Sequence, residues 1–347
     1  MRPKSAGIAA LSALLAVAAA PATAGAGRAM ELGIQDGSLA AGNPPVQPAP
    51  LLDALGIQRE RILVPWRTVE RRPGAFDASR WVRAAAAARA RDHRVSIVLA
   101  GPAPPWAARG AGGYRYPDPG RYAAFAGAAA RQLAPYVARY SVWDEPNRAG
   151  RLAPQRSAAR QYAALFSAGA AAIRAADPGS EVLFGELQPG TRGAAFGRTP
   201  LAFLREAFCT GRRWRARCNR GLAADGVALH PAAPSRRRGR DAAPGAVTME
   251  RLGAFGAALD RLARGGGLTA MGGGSMGLHL TAYSCRAARR LDEAYSIALH
   301  NRRVREIVHS GLFLSPGPPA GSSALVTRSG RRTACFRSLA AWVRRHR

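Results

Sequence analysis

Trp143-Asp144-Glu145-Pro146-Asn147 is the segment whose residue types come nearest to a catalytic site. It follows an apolar run that predicts a β-strand, so these side chains would lie at a strand end. A glutamate there can act as a general acid if its surroundings raise its pKa. Trp143 could stack on a sugar ring and Asn147 could hydrogen-bond to its hydroxyls. The segment indicates carbohydrate chemistry, although an ordinary strand end and turn would also fit.

Apolar runs alternate with helical patterns along the chain, as in folds built on a parallel sheet. Strands are predicted at 30–36, 61–66, 94–100, 138–143, 181–185, 225–229, 277–281 and 311–314. Helices are expected at 48–55, 76–91, 120–133, 154–176, 200–208, 248–264, 291–308 and 335–345. Eight strand–helix repeats predict an α/β protein with a (β/α)8 TIM-barrel fold, formed by residues 25–347 as one domain.

In such a barrel the functional side chains lie at the carboxyl ends of the strands. Tryptophans and carboxylates on one rim suit a carbohydrate cleft, because indoles stack on sugars and carboxylates bind hydroxyls. Structural explanations are also open: a tryptophan can cover the core, an aspartate can cap a loop, and a lone histidine is often a core residue. The strand ends carry Asp36, Trp66, Trp106, Asp144, Glu145, Glu186 and His230, and Arg61 begins the second strand.

A series of short motifs in this order resembles the clan A glycoside hydrolases, near families 5 and 39, over nearly the whole chain. That clan usually has Trp-Asn-Glu-Pro-Asn after its fourth strand, and its glutamate is the acid/base, which implies this role for Glu145. The resemblance also implies site-supporting roles for Arg61 and His230. The matching segments are 34–36, 61–66, 104–106, 143–147, 176–179, 185–187, 225–231 and 301–304.

The seventh strand departs from the family at the position of its nucleophile. The family has the glutamate of a Thr-Glu-x-Gly motif there, whereas this chain has Thr281-Ala282-Tyr283-Ser284, in which Tyr283 is a candidate supporting residue. Asp144 and Ala232 replace the usual Asn and Tyr. Retaining hydrolysis needs two carboxyl groups about 5–5.5 Å apart, and an alanine methyl cannot attack a sugar. We expect standard retaining hydrolysis to be lost or altered and Arg61 to lack its usual partner.

Three interpretations remain open. The chain is an exported protein of glycosidase fold that binds a polysaccharide or oligosaccharide without standard hydrolysis. Alternatively, it is an active O-glycosyl hydrolase whose second carboxylate is Glu186 or Asp36, since inverting enzymes tolerate a separation of about 6.5–9.5 Å. A third reading is a basic adhesive protein of the cell envelope. None of these interpretations requires a cofactor or a metal ion.

The formal net charge of +30 suggests an anionic partner. Lys4 is the only lysine, and the arginines are dispersed along the helical patterns, with the densest run at 236–240. The sequence has no aromatic-interleaved basic motif of the kind that binds single strands. The sequence therefore argues against nucleic acid as a partner, and an acidic cell-wall polymer is an alternative one.

The amino terminus predicts export. Arg2 and Lys4 precede an apolar run at 8–20, which is too short to span a bilayer comfortably, and Ala22-Thr23-Ala24 fits a cleavage site. These features predict a signal peptide at 1–24 and a secreted or cell-envelope protein with no membrane span.

The four cysteines suit an oxidising compartment. Their spacing contains no Cys-x-x-Cys motif, which argues against zinc or redox chemistry. Cys209 and Cys218 flank a short basic segment, which favours the disulfides Cys209–Cys218 and Cys285–Cys335. Four cysteines nevertheless allow three pairings.

Overall fold

The computed structural model describes residues 30–110, 112–191, 196–211, 213–234, 243–314 and 324–346. Eight parallel strands form a closed barrel in which each strand pairs with its neighbours in sequence and the last pairs with the first. The barrel strands are β1 Glu31–Gln35, β2 Arg59–Pro65, β3 Arg94–Ala100, β4 Val137–Val142, β5 Glu181–Leu187, β6 Gly226–Leu229, β7 Leu278–Tyr283 and β8 Val304–Ser310.

Helices surround the barrel, and two short pairs of strands lie outside it: Glu70–Arg72 with Ala75–Phe76, and Ala223–Ala224 with Thr269–Ala270. The helices are α1 Gly37–Ala41, α2 Ala49–Ala54, α3 Trp66–Val69, α4 Ser79–Arg89, α5 Pro119–Leu133, α6 Ala158–Ala176, α7 Pro200–Ala207, α8 Leu252–Arg264, α9 Ala288–His300 and α10 Ala334–His346. Short 3-10 turns lie at Pro105–Ala107, Gln155–Ser157 and Met249–Arg251.

The predicted (β/α)8 barrel is confirmed. Its strands read as continuous apolar runs because both of their faces are covered, one by the barrel interior and the other by the helices. In β3, every residue after Arg94 is buried. Asp118 caps α5, since its side chain accepts a hydrogen bond from the backbone of Arg121.

The prediction for the eighth strand was wrong. A helix was expected to continue to Val308, with a strand at 311–314, whereas α9 ends at His300 and β8 spans Val304–Ser310. In the sequence, Glu306 fits the polar face of an amphipathic helix, yet in the structure its side chain is fully buried. Two strands near the candidate site end later than predicted: β5 continues through Glu186, and β7 continues past Ala282.

Charged side chains, rather than apolar ones alone, fill the amino-terminal end of the barrel interior. Glu306 lies 2.7 Å from Arg139, 3.1 Å from Arg59 and 3.0 Å from Nδ1 of His279. Arg59 also lies 2.7 Å from Glu31. Removing one member would leave an uncompensated buried charge, so the strands that carry these residues depend on one another.

Both predicted disulfides are present, Cys209–Cys218 and Cys285–Cys335. None of the helices in the described part of the chain is long and apolar enough to cross a membrane. The predicted signal peptide and the arginine run at 236–240 lie outside the described residues.

Candidate active site

The segment Trp143–Asn147 lies at the carboxyl end of β4, and its backbone is unusual. β4 ends at Val142, and the next residues include two positive φ angles, 64° at Trp143 and 46° at Glu145. Each such residue costs on the order of 1–3 kcal/mol and persists where the surrounding structure requires it. The alternation of a strand does not continue here, so Asp144 and Glu145 both reach the same group of residues at the barrel end.

Glu186, at the end of β5, is the centre of that group. Its Oε2 lies 2.8 Å from Nη2 of Arg61, 2.9 Å from Nε2 of His230 and 2.6 Å from Oγ1 of Thr281. The residue is fully buried. Burial alone would raise its pKa, but Arg61 and His230 outweigh burial and lower the pKa of Glu186 to about 2. Glu186 is therefore an enclosed carboxylate that is ionised at neutral pH.

Arg61 is paired with carboxylates, although position 282 is an alanine. Besides its ion pair with Glu186, it lies 3.6 Å from Asp144 and donates to the side chain of Gln35. The expectation that Arg61 is left unpaired was therefore wrong. A glutamate on β5, two strands from the one that carries Ala282, supplies the negative charge, which sequence spacing alone does not reveal.

Glu145 lies at the open side of the group, with its side chain 17% exposed. One carboxylate oxygen lies 2.6 Å from Arg148 and 3.8 Å from Arg151, and the other lies 3.4 Å from Nδ1 of His230. Burial raises the pKa of Glu145, but the hydrogen bonds from His230 and Arg148 outweigh it, and the pKa falls to about 2. The resting residue is a carboxylate, whereas a general acid must hold a proton.

His230 joins the two glutamates. Burial disfavours its charged form, yet the hydrogen bonds to Glu145 and Glu186 outweigh burial and raise the pKa of His230 to about 9. As an imidazolium it donates from both ring nitrogens, which matches a carboxylate on each side. The histidine predicted from the strand end is therefore a cation at neutral pH.

Asp144, Glu186 and His230 place one potential ligand atom each within 4.8 Å of one another, the spacing of a metal site. Two cations already lie within this group, Arg61 at 3.6 Å from Asp144 and the protonated His230. A metal ligand would have to be neutral imidazole, so this donor set fits an ion-pair network better than a metal site. Burial raises the pKa of Asp144 despite the neighbouring Arg61.

A cleft of about 540 Å³ opens over this network. Ala282 lies on its wall, as does Glu145, which is the one carboxylate among the described residues that line the cleft. The remaining lining is formed by Arg148, Gln188, Pro189, Thr191, Phe196, His230, Pro231, Ala232, Ala233, Ser284 and Arg286.

The indoles predicted to stack on a sugar are mostly buried. Trp66 and Trp143 are both 0% exposed. Trp66 stacks on Phe125 at 5.5 Å and donates its Nε1 hydrogen to Glu70, while Trp143 donates to the backbone oxygen of Arg151. The prediction that they bind substrate was wrong, because each indole covers the end of the core, as the structural explanation allowed.

Two polar residues predicted to bind substrate hold the backbone instead. Asn147 is fully buried, donates to the carbonyls of Gln188 and Arg198, and accepts from the Gln188 backbone. Asp36 caps α1 and accepts a hydrogen bond from the backbone of Phe313. Their side-chain groups are thus occupied within the fold.

Trp106 and Tyr283 lie near the barrel end but outside the lining of the cleft. Trp106 is partly exposed, and the guanidinium of Arg121 lies 5.3 Å from its ring centroid. Tyr283 is buried and its hydroxyl donates to the backbone of Arg290 at 3.5 Å. Trp106 therefore remains available only to a ligand that extends beyond the cleft.

Several residues that line the cleft were not predicted from the sequence, above all Phe196, which is 51% exposed. Gln188, Arg148 and Arg286 also line it. Each follows a barrel strand within a connecting loop, so the rule that strand-to-helix loops carry function is the signal that points to them.

No protein-family model matches this sequence, and no curated protein matches it either. By structure the chain is similar to a family 39 glycoside hydrolase from Bacteroides cellulosilyticus WH2, with a TM-score of 0.63 and 14% identity, covering 91% of this chain and 64% of that one. The chain thus spans less than two thirds of that enzyme.

Two further solved structures are similar. A family 5, subfamily 18 glycoside hydrolase from Streptomyces cattleya has a TM-score of 0.60 and 15% identity, over 92% of this chain and 80% of that one. Xylanase 10B from Thermotoga maritima has a TM-score of 0.58 and 12% identity, over 92% and 95%. The chain has the (β/α)8 barrel fold of these glycoside hydrolases. The resemblance read from the sequence motifs is confirmed at the level of this fold.

Proposed function

We propose that this clan A barrel binds a glycan in the cleft over Glu145 and has lost standard retaining hydrolysis. Glu145 takes the position of the acid/base, and Ala282 takes the position of the nucleophile. Arg61, Asp144 and Glu186 then support the site from beneath the cleft, and His230, which lines the cleft, holds Glu145.

The observation that carries this proposal is the pairing of Ala282 and Glu145 in the wall of one cleft. A retaining site needs a second carboxyl group about 5–5.5 Å from the acid/base. Among the described residues of the lining, Glu145 has no carboxylate partner. The alanine methyl can form no glycosyl ester, so the two-step mechanism lacks its first step.

The geometry does not favour an active hydrolase with Glu186 or Asp36 as the second carboxylate. Glu186 is fully enclosed and its Oε2 accepts from Arg61, His230 and Thr281. Asp36 caps a helix. An inverting base must contact a water that attacks the sugar, and neither residue lines the cleft.

The ionisation of Glu145 supports binding rather than acid catalysis. With a pKa of about 2 it is a carboxylate at neutral pH, so it accepts hydrogen bonds from sugar hydroxyls. Gln188 adds an amide, and Phe196 offers an exposed ring on which a sugar face can stack. The predicted signal peptide and the two disulfides favour a secreted or cell-envelope protein.

The test is a panel of neutral oligosaccharides and aryl glycosides, with binding and hydrolysis scored separately on the mature chain. We expect measurable binding and no hydrolysis from the wild type, and weaker binding from Phe196→Ala. Hydrolysis by the wild type that disappears in Glu186→Gln, with binding kept, would overturn the proposal in favour of the active-enzyme reading.

A matched pair of variants tests the role of position 282. Ala282→Glu and Ala233→Glu each add one carboxylate to the lining of the same cleft. If Ala282 occupies the nucleophile position, only Ala282→Glu acquires hydrolysis of aryl glycosides, and adding Glu145→Gln removes it. Equal activity from both variants would show that position 282 has no special relation to Glu145.

A further inference from the structure

A second cleft, of about 500 Å³, is lined by five arginines and two glycines. We name it the arginine cleft, and its cations are Arg213, Arg215, Arg220, Arg261 and Arg264. All five side chains belong to exposed residues, and the described lining contains no carboxylate.

The arginine cleft lies at the opposite end of the barrel from Glu145. Three of its arginines belong to the connection from α7 to β6, and two lie in the last turn of α8, before β7. Helix-to-strand connections lie at the amino-terminal ends of barrel strands, whereas the candidate active site lies at the carboxyl ends. A ligand in the arginine cleft therefore leaves the first cleft open.

The segment that carries the cleft is held in place. The Cys209–Cys218 disulfide closes it, and the backbone of Ala216 donates to Gly265 at 3.0 Å. Gly221 donates to Gly266 at 3.1 Å. A Cβ atom at Gly265 would lie 2.1 Å from the backbone oxygen of Trp214, so the close approach of the two segments requires glycine. The arginines thus project from a fixed frame.

The charge of the arginine cleft is not balanced within the described residues: none of its five arginines forms an ion pair there. A cleft of similar size at the same end of the barrel differs in this respect. It contains Arg91 and Arg94, which pair with Glu60 and Glu31. Like charges brought together repel, and an anion that binds all of them removes that repulsion. Guanidinium groups bind carboxylates and phosphates through paired hydrogen bonds.

We propose that the arginine cleft binds a polysaccharide that carries repeating oxyanions, carboxylate or phosphate. A polymer is favoured over a small anion because the cations line an open groove of about 500 Å³ rather than one point. Nucleic acid is disfavoured, because single-strand sites stack bases on exposed aromatic rings. Trp214 is only 5% exposed, and Arg205 and Arg261 lie 4.5 and 5.8 Å from its ring.

The experiment compares two triple variants of equal charge. Arg213→Gln, Arg215→Gln and Arg264→Gln together remove three of the five cations of the cleft. They keep Arg261, which lies over Trp214, and Arg220, which lies beside Gly266. The control replaces Arg72, Arg131 and Arg160, which are exposed elsewhere, with Gln. Binding to polygalacturonate, polyphosphate, single-stranded DNA and a neutral glucan is measured at about 50 mM and about 200 mM salt.

We expect the full chain to bind polygalacturonate, polyphosphate or both, and the cleft triple variant to bind at least about tenfold more weakly, with a shallower salt dependence. The two acidic polymers distinguish a carboxylate from a phosphate ligand. The control variant should change binding much less. Equal losses in both variants, or no binding to either polymer, overturn the proposal.

Tighter binding to single-stranded DNA, lost in the cleft variant, would assign the arginine cleft to nucleic acid and also overturn the proposal. This inference does not rest on the function proposed for the first cleft. A lack of binding to neutral sugars would contradict that function, whereas a lack of binding to anionic polymers would contradict this inference.

Discussion

Nε2 of His230 lies 2.9 Å from a carboxylate oxygen of Glu186, in the interior of the barrel end. Together with Glu145, the contact raises the pKa of His230 to about 9, and together with Arg61 it lowers the pKa of Glu186 to about 2. The other ring nitrogen faces Glu145 and keeps it ionised. His230 and Glu186 thus form a charged support beneath Glu145, in a cleft whose lining also contains Ala282.

The first prediction concerns pH. Because the folded pKa of His230, about 9, exceeds the unfolded value of 6.5, its protonation stabilises the fold fully below about pH 6.5. This contribution disappears as the pH rises through about 9. A shift of this size corresponds to about 3 kcal/mol for a buried group. Urea unfolding between these pH values should show the decline in the free energy of unfolding.

His230→Gln provides the control for that measurement. Glutamine can still donate a hydrogen bond but does not titrate, so the variant should be less stable at pH 6.5 and lose much less stability on going to pH 9. If the wild type and the variant have parallel pH profiles, the histidine is not an imidazolium in the folded state and the electrostatic account of Glu145 is wrong.

The second prediction concerns Arg61, which is buried and lies 2.8 Å from Glu186. Arg61→Met leaves the enclosed carboxylate of Glu186 without its main cation. Breaking a buried ion pair on one side costs about 3–5 kcal/mol, so the free energy of unfolding at neutral pH should fall by that amount.

Glu186→Gln in the Arg61→Met background completes a double-mutant cycle. With the carboxylate removed, the missing cation costs less, and the double variant should be more stable than the sum of the single losses by on the order of 1–3 kcal/mol. Additive losses would mean that the two residues stabilise the barrel independently.

The barrel itself could be predicted from sequence, because buried parallel strands leave apolar runs that alternate with helical patterns. The eighth strand could not, since Glu306 gives β8 the appearance of an amphipathic helix until its partner Arg139, distant in sequence, is known. Long-range charge pairing is invisible in a local pattern, and the same reason hid the ion pair between Arg61 and Glu186.

The site was predicted in part. Strand ends placed Glu145, Glu186 and His230 together correctly, since all barrel strands point the same way. The prediction that Trp66 and Trp143 bind substrate rested on residue type alone. An indole also serves as a core residue, and only the surrounding structure shows which of the two roles it has. Phe196 lies in the loop after β5, where the fold rule expects functional residues, but no pattern within that loop singles out this residue. Its exposure over the cleft required the structure.

The third prediction tests the frame of the arginine cleft with two glycines at opposite ends of α8. Gly265 approaches Trp214 so closely that an added methyl would overlap the backbone oxygen at 2.1 Å. Gly253 is exposed in the first turn, with nothing within 4 Å of its Cβ position. Gly265→Ala should therefore lower the free energy of unfolding by about 1–3 kcal/mol, whereas Gly253→Ala should raise it by about 0.5–1 kcal/mol. Chemical denaturation of both variants measures the difference, and a neutral effect of Gly265→Ala would show that the segment carrying Trp214 moves aside easily instead of holding the arginines in a fixed frame.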